Sequence, residues 1–238
     1  MLSPGRGIRR SKLMDMMRTP ESLGWKISAV FNQGTNTYKI ETKSGPNSTR
    51  LVFIDDKPVS QITLGKLLKI IWLTPLMDRL WVEGAEMRRK FLDRITHSFI
   101  PEHAEMILKY EKAMKERNSL LKEFIRDPDW YSAIETQMAT VGKKITDNRF
   151  FVIHKLMESM EKSDSYFPSA DLSLTNNKTD FMSMTVDEFK ALLKNSRSED
   201  FYSHRTSVGP HKTDLVVKYK TKNIEAKNCS TGEQKALL

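Results

Sequence analysis

The chain has 238 residues, 39% of them apolar, enough to bury a sizeable core as one large domain or two lobes. A single cysteine, Cys229, excludes an internal disulfide, and with the five histidines scattered a structural zinc site is not expected. The 39 Lys and Arg against 30 Asp and Glu leave a net charge of +9, which either favours a polyanionic partner through counterion release or simply keeps the chain soluble.

The N-terminus carries Arg6, Arg9, Arg10 and Lys12 without a following apolar stretch, unlike a signal peptide. No apolar run of about 18 residues occurs anywhere, so no membrane partner and a cytoplasmic location are expected. From Trp25 to Ser60, runs rich in β-branched and aromatic residues (Trp25 to Phe31, Tyr38 to Thr42, Arg50 to Ile54) alternate with Gly, Asn and Ser clusters. This pattern predicts an antiparallel meander. The turns Asn32-Gln33-Gly34-Thr35-Asn36 and Lys43-Ser44-Gly45-Pro46-Asn47 supply the residues that tight reversals need. A further apolar run, Lys69 to Leu73, ends at Pro75 and reads as a buried strand.

From Pro101 the period lengthens. Met106, Ile107, Tyr110, Ala113, Met114, Leu121 and Phe124 recur at three- and four-residue steps, which predicts an amphipathic helix. Asp127-Pro128 then suits an N-cap and a first helical position. A second helix is predicted to begin there, with Trp130, Ile134, Met138, Val141, Ile145, Val152 and Leu156 on one face. Two long helices with a short break should form an antiparallel hairpin, with lysines such as Lys115, Lys122 and Lys143 on its solvated side. Residues 162 to 184 read as a loop holding one short strand near Leu172 to Leu174. Thr185 with Glu188 is a capping box, Asn195 to His204 reads as polar and mobile, and Asp214 to Tyr219 and Asn223 to Ala226 read as strands. The organisation predicted is a first lobe at 1–98, a helical-hairpin lobe at 99–184, and a return at 185–238.

At the C-terminal end, Ser230 with Glu233 is another capping box, and Gly232 leaves the backbone amides of the first turn unshielded. From the residues alone this is either an ordinary capped helix or an anion site. Leu51-Val52-Phe53-Ile54-Asp55-Asp56 imitates a Mg²⁺-holding strand end, but Asp56-Lys57-Pro58 behind it is turn chemistry, and a hairpin is the expectation. No G-x-x-x-x-G-K-[ST] occurs: Gly65-Lys66 has Ser60 where the first Gly belongs and Leu67 where the hydroxyl belongs. His211 reads as a core histidine bonded to a strand.

Ser230-Thr231-Gly232-Glu233-Gln234-Lys235 is similar to the S-x-G-x-Q-[KR] signature of ABC-type ATPases in the form used by the RecF family. Arg205-Thr206-Ser207-Val208-Gly209-Pro210-His211-Lys212-Thr213-Asp214 resembles that family's T-x-x-G-P-H-[RK]-x-D segment. Trp72-Leu73-Thr74-Pro75, and Gly84 with Arg88-Arg89-Lys90-Phe91-Leu92-Asp93, resemble its aromatic-to-proline block and its R-R-x-F-L-D block with a glycine shortly before it. The start, Leu2 to Arg9, is similar to the stretch that follows the family's phosphate-loop helix. Two departures stand out: His204 replaces a usual Gly, and Leu76-Met77 replaces a usual acidic pair.

The resemblance implies an α/β fold, a partial ABC-type ATPase head with an antiparallel β meander and a helical-hairpin lobe. Its phosphate loop would lie before this sequence and its Walker B carboxylates after it. It implies a DNA repair, replication and recombination protein of the SOS response, a weak ATPase inactive on its own here. The implied partners are double-stranded or gapped DNA, RecO and RecR, and a second RecF head. ATP would be bound in trans by Ser230, Thr231, Gly232, Glu233, Gln234 and Lys235, with Mg supplied by the partner subunit and no independent cofactor. Arg6, Arg9, Arg10, Arg88 and Arg89 are the expected DNA or phosphate contacts, with a solvated helix face, slightly favoured, or a salt link within the head as the other readings of Arg88 and Arg89. A non-catalytic DNA-binding module, or an adaptor docking on an intact head, is the alternative.

Overall fold

The computed structural model describes residues 2, 11–20, 23–46, 49–163, 166–175 and 183–238. The chain divides into two compact units, Met1–Thr74 and Pro75–Leu238.

The first unit is the predicted meander. Strands β1 (Trp25–Gln33), β2 (Asn36–Ser44), β3 (Leu51–Ile54) and β4 (Lys57–Val59) form an antiparallel sheet in sequence order. Alternation of side chains puts Ile40, Thr42 and Ser44 of β2 on the covered face. The β3–β4 link settles the acidic pair: Asp55 and Asp56 both have positive φ, 49° and 61°, the backbone of a tight hairpin turn matched to strand twist. The Lys39 amide donates to the Asp55 carboxylate at 2.8 Å, fixing that turn. A short helix, α1 (Gln61–Leu67), starts where the Ser60 hydroxyl accepts the Thr63 amide at 3.1 Å. It seals the sheet by burying Leu64, with Leu68 just beyond it, against Ile40 and Val52. The strand expected at Lys69 to Leu73 is absent: these residues have no regular structure, and Ile71 and Leu73 are about half exposed (49% and 56%). An apolar run becomes a strand only where a neighbour offers a ladder of hydrogen bonds, and this run belongs to neither sheet of the described residues.

The second unit follows a 3-10 turn, Pro75–Arg79. Helices α2 (Ala85–Phe99), α3 (His103–Lys122) and α4 (Pro128–Glu161) come first. The carboxylate of Asp127 accepts the amides of Asp129 and Trp130 at 2.9 and 3.1 Å, and Pro128 occupies the first turn, as predicted. Arg117 bonds Glu135 while Asn148 lies beside His103, so α3 and α4 run antiparallel as a hairpin. Tyr110, Ala113 and Leu121 of α3 and Ile134, Met138 and Ile145 of α4 are buried, whereas Trp130 and Phe124, assigned to the apolar faces, are 45% and 63% exposed. Phe124 lies past the end of α3 with φ of 57°.

Strand β5 (Ala170–Thr175), helices α5 (Val186–Asn195) and α6 (Arg197–Ser203), a 3-10 turn at Pro210–Lys212, strands β6 (Asp214–Tyr219) and β7 (Ile224–Glu225), a 3-10 turn at Ala226–Asn228 and helix α7 (Thr231–Ala236) complete the chain. The sheet order is β5-β6-β7, all antiparallel. Two cores result. Phe189 and Leu193 of α5 close the hairpin core, while Leu80, Trp81, Leu92, Ile153, Leu215, Val217 and Leu237 join α2, α4, the sheet and α7.

The polar stretch Asn195 to His204, expected to be mobile, is helix α6, and its Asp200 is completely buried. The cause is distant in sequence. Arg117 of α3, also fully buried, bonds Asp200 at 2.7 Å, Glu135 at 3.1 Å, the Thr206 hydroxyl at 3.0 Å and the Leu193 carbonyl at 2.9 Å. Arg197 adds two bonds to Glu135 at 2.6 and 2.9 Å. Buried charges are tolerated only when paired and bonded in this way. His204 ends α6 in the left-handed region (φ 54°, ψ 25°), so the tight turn its departure from Gly put in question is made, with strain of roughly 1–2 kcal/mol.

Candidate functional site

The C-terminal helix is built as its capping box requires. The Ser230 hydroxyl accepts the Glu233 amide at 3.4 Å, and the Glu233 carboxylate returns to the Ser230 amide and hydroxyl at 2.9 Å each. Glu233 also pairs with Lys222 across the β7 hairpin. That cation, then the Ser230 donors, hold its pKa down at about 2, so it stays an anion throughout the working range.

Ser230, Thr231, Gly232 and Lys235 are exposed. A side chain added at Gly232 would meet nothing within 4 Å, and the amides of Thr231 and Gly232 have no partner among the described residues. Two donors at the positive end of a helix therefore face open space. The far side of the helix is anchored. The Trp81 indole donates to the Gln234 carbonyl at 2.9 Å, Lys235 pairs with Asp78 at 3.0 Å, and Leu237 is buried. The Gln234 side chain donates to the Cys229 carbonyl at 2.9 Å, tying the helix to the turn before it. Trp81, Asp78 and Lys222 were not singled out from the sequence, because their role depends on contacts between segments far apart in the chain. Met77, one of the pair replacing the usual acids, is buried with its sulfur 3.4 Å from the Arg94 guanidinium, while Leu76 is 67% exposed.

The arginine candidates separate. Arg6, Arg9 and Arg10 lie outside the described residues. Arg88 grips Asp214 of β6 with two bonds of 2.8 Å and reaches the carbonyls of Leu80 (3.3 Å), Trp81 (3.2 Å) and Glu83. That is the salt link, and it fixes α2, the Trp81 turn and the sheet together. A ligand phosphate would have to displace Asp214 to reach it. Arg89, next to it, donates one bond, to the Thr213 carbonyl at 2.8 Å.

His211 is bonded at both ring nitrogens, though to no strand. Nε2 faces the Thr206 carbonyl at 3.0 Å and Nδ1 faces the Tyr110 hydroxyl at 3.0 Å. A carbonyl only accepts, so Nε2 carries the proton and Nδ1 accepts from Tyr110. Burial pushes its pKa down to about 4, leaving a neutral ring that orients the Gly209–Lys212 turn.

No family model matches the chain. It is 38% identical over 240 residues to the DNA replication and repair protein RecF of Rickettsia akari (strain Hartford). It is 38% identical over 244 residues to that of Rickettsia typhi (strain ATCC VR-144 / Wilmington). Both matches cover 99% of this chain and 66% of the relative's length. Among solved structures, it superposes on the recombination mediator protein RecF-ATPrS in the RecFOR pathway with a TM-score of 0.79 at 22% identity, over 99% of this chain and 66% of that one. The RecF-ATP form matches with a TM-score of 0.76. These likenesses establish the α/β fold with its antiparallel sheets.

Proposed function

The chain belongs to the RecF family of DNA replication and repair proteins, and from that premise we propose that it offers the Ser230 helix to an ATP held by a second RecF head. The observation that carries this reading is the exposed, anchored start of α7: free amides at Thr231 and Gly232, open space at Gly232, and a serine hydroxyl at the mouth. Partly positive amides and a hydroxyl suit the oxygens of a terminal phosphate, and they need no catalytic side chain from this chain. On closure the Ser230 hydroxyl turns from Glu233 to the phosphate, while Glu233 keeps Lys222 and the Ser230 amide. Mg accompanies the nucleotide on the partner head.

In this reading ATP serves as the glue of a homodimer, and the dimer acts on double-stranded or gapped DNA with RecO and RecR. The net charge of +9 supports contact with a polyanion. The same charge favours the second reading, duplex binding without nucleotide, which predicts salt-sensitive retardation of a duplex in the absence of ATP.

The test is ATP-dependent association of this chain with an intact RecF from a Rickettsia relative, measured by sedimentation. Association is expected with ATP and Mg and is expected to be lost in Ser230→Arg, whose side chain fills the phosphate's place. Equal association of that variant, or none by the unaltered chain, would refute the reading.

A further inference from the structure

Two sequence blocks that the nucleotide reading leaves without a task meet around one cavity. Arg89 and Asp93 of α2 and Pro210 and His211 of the 3-10 turn line a pocket of about 210 Å³, with Tyr110 of α3 and Arg149 of α4 completing it. One water needs only roughly 10–15 Å³, so this space admits a larger guest.

Inside the pocket nearly every polar group is matched. Arg149 grips Asp93 with bonds of 2.7 and 2.9 Å and donates to the Pro210 carbonyl at 2.7 Å and the Thr213 hydroxyl at 2.9 Å. Tyr110 and His211 satisfy one another, and Lys90 on the lip is taken by Glu86. Arg89 is the exception. It has the one bond to the Thr213 carbonyl and no carboxylate at ion-pair distance among the described residues. Burial, then the nearby charge of Arg149, work against its cationic form and outweigh the more distant carboxylates of Asp214, Glu86 and Asp93. Glu111, exposed on the lip, likewise has no cation at ion-pair distance among the described residues, Arg89 included.

A half-buried guanidinium whose one direct partner is a neutral carbonyl keeps donors for an anion, and its planar fork matches two oxygens of a phosphate. We propose that this pocket is an oxyanion site that takes a phosphate-sized group, either inorganic phosphate or the phosphate of a small molecule, on Arg89. A nucleic-acid backbone is disfavoured, because phosphates flanking the bound one would meet the carboxylates of Glu86 and Glu111. The site shares no residue with the Ser230 helix and goes beyond the nucleotide reading, so either can fail while the other stands.

The test is thermal unfolding of the purified chain with chloride replaced by phosphate at constant ionic strength. For an affinity of about 1 mM, 10 mM phosphate raises Tm by roughly 3–6 °C. Arg89→Gln should remove that shift while its Tm in chloride stays within about 2 °C of the parent, since no ion pair is lost. Adenosine monophosphate in the same titration identifies the source: a shift with both anions assigns the bare ion, and a shift with the nucleotide alone assigns a small-molecule phosphate. The proposal is overturned if neither anion shifts Tm, or if the shift survives Arg89→Gln. It is also overturned if only a DNA duplex stabilises the chain and does so through Arg89. Should Arg89→Gln fail to fold, Glu111→Lys on the exposed lip decides, because it must tighten phosphate roughly fivefold and an unchanged response sinks the site.

Discussion

Replacing Arg117 with Met keeps most of the side-chain volume and removes only the charge and its donors. Four bonds disappear, to Glu135, Asp200, Thr206 and the Leu193 carbonyl. The two carboxylates are left in different states. Glu135 still has both bonds from Arg197, whereas Asp200 keeps the Ser196 hydroxyl at 2.8 Å and the Ser207 amide at 2.9 Å but no cation. Stranding one buried charge costs about 3–5 kcal/mol, and the two remaining donors on Asp200 place the expected loss near the lower end, about 3 kcal/mol. In a body of this size that lowers Tm by roughly 6–12 °C. Arg197→Met, on a partly exposed side chain that leaves Glu135 bound to Arg117, should cost only about 1 kcal/mol. Urea unfolding at unchanged m-value measures both. Adding Asp200→Asn to Arg117→Met should recover part of the loss, since the stranded charge is then gone. A loss below about 1 kcal/mol for Arg117→Met, or one no larger than that of Arg197→Met, would refute the claim that this network is paired tightly enough to offset its desolvation.

At position 204, where the backbone is left-handed, the Gly variant should be more stable than the Ala variant by about 1 kcal/mol in thermal unfolding, because only Ala keeps the steric conflict of a Cβ. Gly142→Ala should destabilise by roughly 1–3 kcal/mol despite the better helix propensity of Ala, because the new methyl would lie 2.6 Å from the Phe189 ring and 3.2 Å from the Tyr110 ring. His211 gives the chain a pH signature. Its pKa is about 4 when folded and about 6.5 when unfolded, so the unfolded state binds a proton first, and stability is full above about 6.5 and falls as pH drops towards 4. The folding constant should fall up to about tenfold per pH unit in that window, and His211→Gln should flatten that slope in a denaturation series.

Local chemistry was legible wherever a few neighbouring residues decide the outcome. The Asp127-Pro128 start of α4 and the boxes at Thr185 and Ser230 needed only capping logic, and the structure closes all three with the expected bonds. The meander and the acidic hairpin turn followed from alternation and turn residues in the same way. What failed was decided at long range. Lys69 to Leu73 is apolar enough for a strand but joins neither sheet of the described residues, while Asn195 to His204 is too polar to look like a packed helix until Arg117 supplies a counterion for Asp200. The candidate site shows the same division. Ser230 and Gly232 are readable in the sequence, but their anchoring by Trp81 is not, and the motif blocks containing Arg89 and His211 give no hint that they face one cavity.

The arginine cluster at the centre of the helical hairpin also limits how this lobe can drift. Loss of Arg117 alone leaves the buried Asp200 without a cation, so a single apolar step at that position is costly. An apolar residue at position 117 therefore avoids that cost only where position 200 loses its charge as well.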